Sequence, residues 1–164
     1  MKNIFIVRHA KSEKKLGGTD FERPLNKKGE SDALMMSKRL LDSKFKVDAL
    51  ISSPALRTKK TAILFSETLE IPVTDIIFNA ALYDARAELF YKVIADCADN
   101  FTAIAIFSHN PGVSDFVNSL NTEVTIENMP TCSIFAIQAD IANWTNFFKA
   151  KKKCLFFITP KKWK

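Results

Sequence analysis

"FIVRHAKS", residues 5–12, is an apolar run that stops on two adjacent side chains that interiors rarely hold, Arg8 and His9. Across "NIFIVR" (3–8) the apolar character is continuous rather than alternating, with β-branched and aromatic residues prominent. That pattern predicts a strand buried on both faces, as in a parallel sheet. "VDALIS" (47–52) and "TAIAIFS" (102–108) read the same way. The third run leads into "SHNPG" (108–112), which carries His109, the other of the chain's two histidines.

Helical patterns separate these runs. In "NKKGESDALMMSKRLLDS" (26–43), Ala33, Met36, Leu40 and Leu41 fall at helical spacing, with charged residues opposite. "SPALRTKKTAILFSETL" (53–69) predicts a second helix, with Ser53 as N-cap and Pro54 in the first helical position. "ARAELFYKVIADCA" (85–98) predicts a third, and "NPGVSDFVNSLN" (110–121) a fourth with Pro111 just inside its start. "CSIFAIQ" (132–138) and "CLFFIT" (154–159) read as strands joined by the irregular "ADIANWTNFFKAKKK", and are expected at the sheet edge, antiparallel. The expected fold is α/β: a three-layer sandwich with a mostly parallel central sheet, helices on both faces and an antiparallel edge near the C-terminus. Residues 1–164 read as one domain.

Composition excludes several classes. An apolar fraction of 47% is that of a globular protein, and four glycines argue against linkers and collagen-like repeats. The first apolar run is too short for a signal peptide, whose apolar core spans roughly 7–15 residues. No stretch approaches the roughly 18 apolar residues of a membrane span. Cys97, Cys132 and Cys154 form no C-x-x-C pair, and read as free thiols in a reducing compartment. The expectation is a cytoplasmic protein with no membrane association. A net charge of +6 is concentrated partly in "KAKKK" (149–153) and "PKKWK" (160–164), which read as solvated tail. No nucleic-acid-binding motif accompanies them, so no nucleic-acid partner is expected.

In open α/β sheets, ligands bind beyond the carboxyl ends of the strands. Arg8 and His9 end the first strand, Ser52 and Ser53 leave the second, and Ser108 and His109 end the third. Arg57 is the fourth residue of the helical segment "PALR" that follows the second strand. Two guanidinium forks suit the oxygens of a phosphate, and a neutral imidazole can attack phosphorus. A second histidine can stabilise charge on the equatorial oxygens. Singly, each has a plainer reading: a structural histidine, or a surface helix charge at Arg57. Together on one rim they point to a phosphate-handling site. No metal-ligand spacing accompanies them, so neither metal nor cofactor is expected.

These motifs resemble a known family. "VRHAKS" (7–12) looks like the R-H-G/A signature of the histidine phosphatase (phosphoglycerate mutase-like) superfamily. "SSPALRTKKTA" (52–62) looks like its S-P-x-x-R-x-x-x-T-A element, and "SHNPG" like its second-histidine motif. "DFERPLNKKG" (20–29), "LYDA" (82–85), "MPTCSI" (129–134) and "CLFFITPKK" (154–162) look like the SixA-like phosphohistidine phosphatases. The resemblance implies a phosphatase in which His9 is the nucleophile that becomes phosphorylated. Arg8, Arg57 and His109 would bind and stabilise the transferring group. The superfamily's usual acid is a glutamate, and "LYD" stands in its place, making Asp84 the candidate general acid and a turn or helix cap its other reading. Lys11, Ser12 and Arg23 are candidate substrate contacts; Lys11 could equally point into water, and Arg23 could instead pair with an acid and hold its loop. Position 10 is Ala rather than the usual Gly, and "EKKLGG" (13–18) is more charged than the family pattern. The implied partner is a phosphorylated protein of the histidine-containing phosphotransfer type, or a small phosphorylated metabolite. A small-phosphomonoester phosphatase and a phosphate-binding pseudoenzyme are the alternatives.

Overall fold

The computed structural model describes residues 1–14 and 17–162. Lys15 and Leu16 of the charged loop, and the last two residues of the basic tail, lie outside the described residues. Among the described residues one six-stranded sheet runs β3-β2-β4-β1-β5-β6. The strands are β1 (Lys2–Arg8), β2 (Ala49–Ser52), β3 (Ile77–Phe78), β4 (Ala103–Ser108), β5 (Ile134–Ala139) and β6 (Lys152–Ile158). β3, β2, β4 and β1 are parallel; β5 is antiparallel to β1, and β6 to β5. The antiparallel C-terminal edge is as the sequence predicts. β3 is an addition: two residues, both exposed, give no period to read.

The helices are α1 (Lys27–Asp42), α2 (Leu56–Leu69), α3 (Ala87–Ala95) and α4 (Gly112–Ser119). Successive side chains of a strand face opposite ways. Phe5 and Val7 therefore pack with Met36, Leu40 and Phe65 of α1 and α2. Ile4 and Ile6 pack with Phe90, Ile94, Phe116 and Val117 of α3 and α4. Two apolar layers thus sandwich the sheet, and each fully buried large side chain stabilises by about 1.5–3 kcal/mol.

Local expectations are corrected in three places. Leu41 is half exposed, whereas Ala33, Met36 and Leu40 are fully buried. It falls on the shoulder of the helix, and Ser37 completes the buried face instead. α2 starts at Leu56, with Ala55 in the cap position and no side-chain cap, so Ser53 and Pro54 lie before the helix. Pro111 is the residue before α4 rather than inside it, after a cis Asn110–Pro111 bond. The cysteines are free, Cys132 buried and the other two half-buried.

Candidate functional site

β2, β4 and β1 are neighbours, and their carboxyl ends are level: Arg8 pairs with Ser108, and Ser52 with Phe107. The ladder runs one residue further, His9 N–H donating to Ser108 O (3.1 Å) and Ser53 N–H to Phe107 O (3.0 Å). His9, His109 and Ser53 therefore leave the sheet side by side. The Cys132 amide, in a left-handed conformation (φ 59°), approaches the carbonyls of both Arg8 and His9 at 3.0 Å. Gly29 lets α1 lie against the same exit, since a Cβ there would stand 2.0 Å from Lys11 O. At the neighbouring exit a Cβ on Gly112 would stand 2.3 Å from Ala85 O.

The two histidine rings are 5.3 Å apart between centroids. Both are buried, His9 6% and His109 7% exposed, although they end strands at the rim. His9 Nδ1 lies 2.8 Å from Ala10 O. A carbonyl can only accept, so Nδ1 carries the proton and Nε2 of the neutral ring bears the lone pair. Burial, then His109, Arg57 and Arg8, push the His9 pKa down to about 3. Burial, then Arg57, does the same to His109, also to about 3. Burial is the largest cause for both rings, because imidazolium loses its hydration there. His109 Nε2 sits between the hydroxyls of Ser53 (2.8 Å) and Thr58 (3.1 Å). Ser53 thus belongs to the site: its hydroxyl also accepts from Ala55 N–H (3.2 Å).

Three arginines converge here. Arg57, on the first turn of α2, is 5% exposed. Its Nε–H approaches His9 Nε2 at 3.4 Å. Thr61, one turn on, ties helix to strand exit, accepting from Ala10 N–H (3.0 Å) and donating to Arg57 O (2.8 Å). Arg8 Nη1 donates to Met129 O (2.8 Å). Burial, then Arg57 and Arg23, lower the Arg8 pKa, yet a guanidinium stays charged. Arg8 Nε, Arg23 Nε and His109 Nδ1 are buried and have no hydrogen-bond partner among the described residues. Such groups are costly unless something satisfies them.

Arg8, His9, Arg57 and His109 line one cavity of about 610 Å³, together with Ser12, Arg23 and Asp84. Lys11 is placed apart: its side chain is exposed and lines an adjoining groove that meets the cavity at Thr131. Arg23 pairs with an acid, donating to Asp20 Oδ1 at 2.9 Å, while still lining the cavity.

Asp20 and Tyr83 are site residues that sequence reading misses. Asp20 Oδ2 accepts from Arg57 Nη2 (3.0 Å) and from Tyr83 OH (2.7 Å), and Asp20 O accepts from Arg57 Nη1 (2.7 Å). The Tyr83 hydroxyl, then Arg57, holds the Asp20 carboxyl at a pKa of about 2. Tyr83 also packs edge-on against His109 and Phe21. Asp20 opens "DFERPLNKKG" and Tyr83 is the centre of "LYD", and their place in those stretches is the one signal the sequence offers. Among the described residues, no group of three or more His, Cys, Asp or Glu could hold a metal ion. No helix among them is long and apolar enough to cross a membrane.

The family model described as Histidine phosphatase superfamily (branch 1) matches residues 4–83. Among solved structures, the protein histidine phosphatase SixA complexed with tungstate is similar over 99% of both chains (22% identity, TM-score 0.81). A candidate phosphohistidine phosphatase SixA from Agrobacterium tumefaciens covers 97% of this chain and 98% of its own (22% identity, TM-score 0.82). A mycobacterial glucosyl-3-phosphoglycerate phosphatase covers 94% and 97% (11% identity, TM-score 0.68). At these identities the likeness is one of fold. No curated protein matches the chain.

Proposed function

We propose that the chain, whose residues 4–83 match the family model of the histidine phosphatase superfamily, hydrolyses phosphohistidine, or another phosphomonoester, through a covalent phospho-His9 intermediate without a metal ion. One observation carries the reading. A neutral imidazole with its lone pair on Nε2 lines one cavity with Arg8 and Arg23, whose Nε–H donors lack an acceptor among the described residues, and with His109, whose Nδ1 has no partner among them either. A phosphoryl group supplies acceptor oxygens for those donors and an electrophile for that nitrogen.

In the first step His9 Nε2 forms a bond to phosphorus as the bond to the leaving group breaks. Arg8, Arg57 and His109 hold the equatorial oxygens, and Asp84 protonates the leaving nitrogen or oxygen. In the second step water attacks phospho-His9, Asp84 takes a proton from it, and the N–P bond breaks to release inorganic phosphate and restore His9. A phosphohistidine needs little help from an acid, because its P–N bond is labile. Ser12 and Arg23 would contact the substrate at the cavity wall, and Lys11 would do so from the adjoining groove. The tungstate in the SixA neighbour, a tetrahedral oxyanion, supports the same ligand class here. Free cysteines fit a cytoplasmic setting.

The test pairs a histidine-phosphorylated phosphotransfer protein with an aryl phosphate, followed by mass spectrometry of samples quenched without acid. Phosphate on His9 that turns over faster with the phosphoprotein is the expected result. Turnover of the aryl ester alone would move the substrate to small phosphomonoesters. Folded protein that binds phosphate but shows no label and no turnover would leave only a binding module.

A further inference from the structure

Asp20 is the cavity carboxylate that this reaction does not use. It stands on the short 3-10 segment Asp20–Glu22, and its side chain is 42% exposed. Its two carboxylate oxygens accept from Arg23, Arg57 and Tyr83, and its carbonyl takes the remaining terminal nitrogen of Arg57. With Nε directed at His9 Nε2, every nitrogen of Arg57 is engaged inside the protein.

A phosphoryl group under attack must come within roughly 3–3.5 Å of the His9 lone pair, close beside Arg57. Its oxygens then compete for the donors that Asp20 holds. A carboxylate on two guanidinium forks and a phenol occupies the donor set a phosphate would take. The two partners differ in freedom: the Arg57 side chain is 6% exposed and tied into α2, whereas Asp20 is open to water. Asp20 is therefore the partner that yields. Its low pKa keeps it anionic across the working range, so it competes whatever the pH.

We propose that Asp20 is an internal competitor for the phosphoryl-binding arginines, holding Arg57 and Arg23 at rest and giving them up to the incoming phosphoryl group. On its return it displaces the inorganic phosphate product. The inference rests on the phosphoryl-site reading above. It gives Asp20 a role in specificity. Weakly bound monoanions such as carboxylates do not dislodge it, and the site is not clogged by free phosphate.

The experiment is calorimetric titration of inorganic phosphate into the wild type, Asp20→Asn, Asp20→Ala and, as a control, Asp84→Asn, with folding checked by circular dichroism. Asp84 lines the same cavity, so its variant reports the general effect of removing one negative charge. Both Asp20 variants should bind phosphate about tenfold more tightly, the size expected for one charge-assisted competitor, and clearly more tightly than Asp84→Asn. In turnover they should show lower KM, lower kcat and stronger product inhibition together. Unchanged or weaker phosphate binding in the Asp20 variants would overturn the inference, because a carboxylate that merely positions Arg57 gives that result. Equal tightening by Asp84→Asn would overturn it too. Phosphate binding to none of the four proteins would remove the phosphoryl-site reading and the inference together.

Discussion

The exits of β1 and β4 are neighbours in the sheet, each ends in a buried neutral histidine, and yet they are wired differently. At the β1 exit, a backbone carbonyl fixes the proton on His9 Nδ1 and leaves the lone pair on Nε2, toward which Arg57 Nε–H is directed at 3.4 Å. At the β4 exit, hydroxyls surround Nε2 of His109, and Nδ1 has no partner among the described residues. A carbonyl dictates a tautomer because it can only accept; a hydroxyl, which can donate or accept, lets the ring serve either way. Equal burial and similar acidity thus do not imply equal roles. The partner of the second nitrogen decides which ring has a lone pair to give.

The largest expected break is between His9 and His109 themselves. His9→Ala should lose about 10⁴-fold or more in turnover and all covalent label, the loss expected for a nucleophile. His109→Gln should lose about 10²–10³-fold, the scale of one donor to a charged transition state, while still labelling at His9. Rapid-quench kinetics with mass spectrometry checks both, and equal losses with no label in either would collapse the distinction. Next, Ser53→Ala should cost turnover about fivefold, near 1 kcal/mol for one hydrogen bond. The loss should vanish in a His109→Gln background, which steady-state kinetics of the double variant reads out.

The last effect is on stability rather than turnover, and it appears in acid. Both histidines have folded pKa values of about 3, below the 6.5 of a free imidazole. Above pH 6.5 neither state is protonated and stability does not change on their account. Between 6.5 and 3 the unfolded chain binds protons that the fold does not. Stability should then fall as the pH drops, by up to about 1.4 kcal/mol per pH unit for each histidine. Urea melts at pH 7 and pH 5 should show this slope, and His109→Gln should remove about half of it. Turnover should stay flat from pH 7 to 5, since His9 is already neutral there.

Much of this was legible because burial leaves its mark along the chain. β1, β2 and β4 are covered on both faces, so their sequences are uninterrupted apolar runs, and the polar residues that stop them lie at the rim. Asp20 was not legible: its partners Tyr83 and Arg57 lie 63 and 37 residues away, and no period in an irregular loop reports a tertiary meeting. Ser53 misled for a related reason. Serine before proline fits a helix cap, but its hydroxyl is drawn to His109, just beyond the end of another strand. The depth of both histidines was equally hidden, since a strand end looks exposed until the loops around it close.

The strand order has a consequence for how the protein is made. β4 lies between β1 and β2, although it follows both in the chain. Until residues 103–108 have left the ribosome, β1 and β2 have no common neighbour, and His9 has nothing opposite it. Contacts of such long sequence separation form slowly. The earlier-synthesised motif of the site, Arg8 and His9, is therefore completed only by one of the later strands, and the cavity cannot take shape before the sheet has closed.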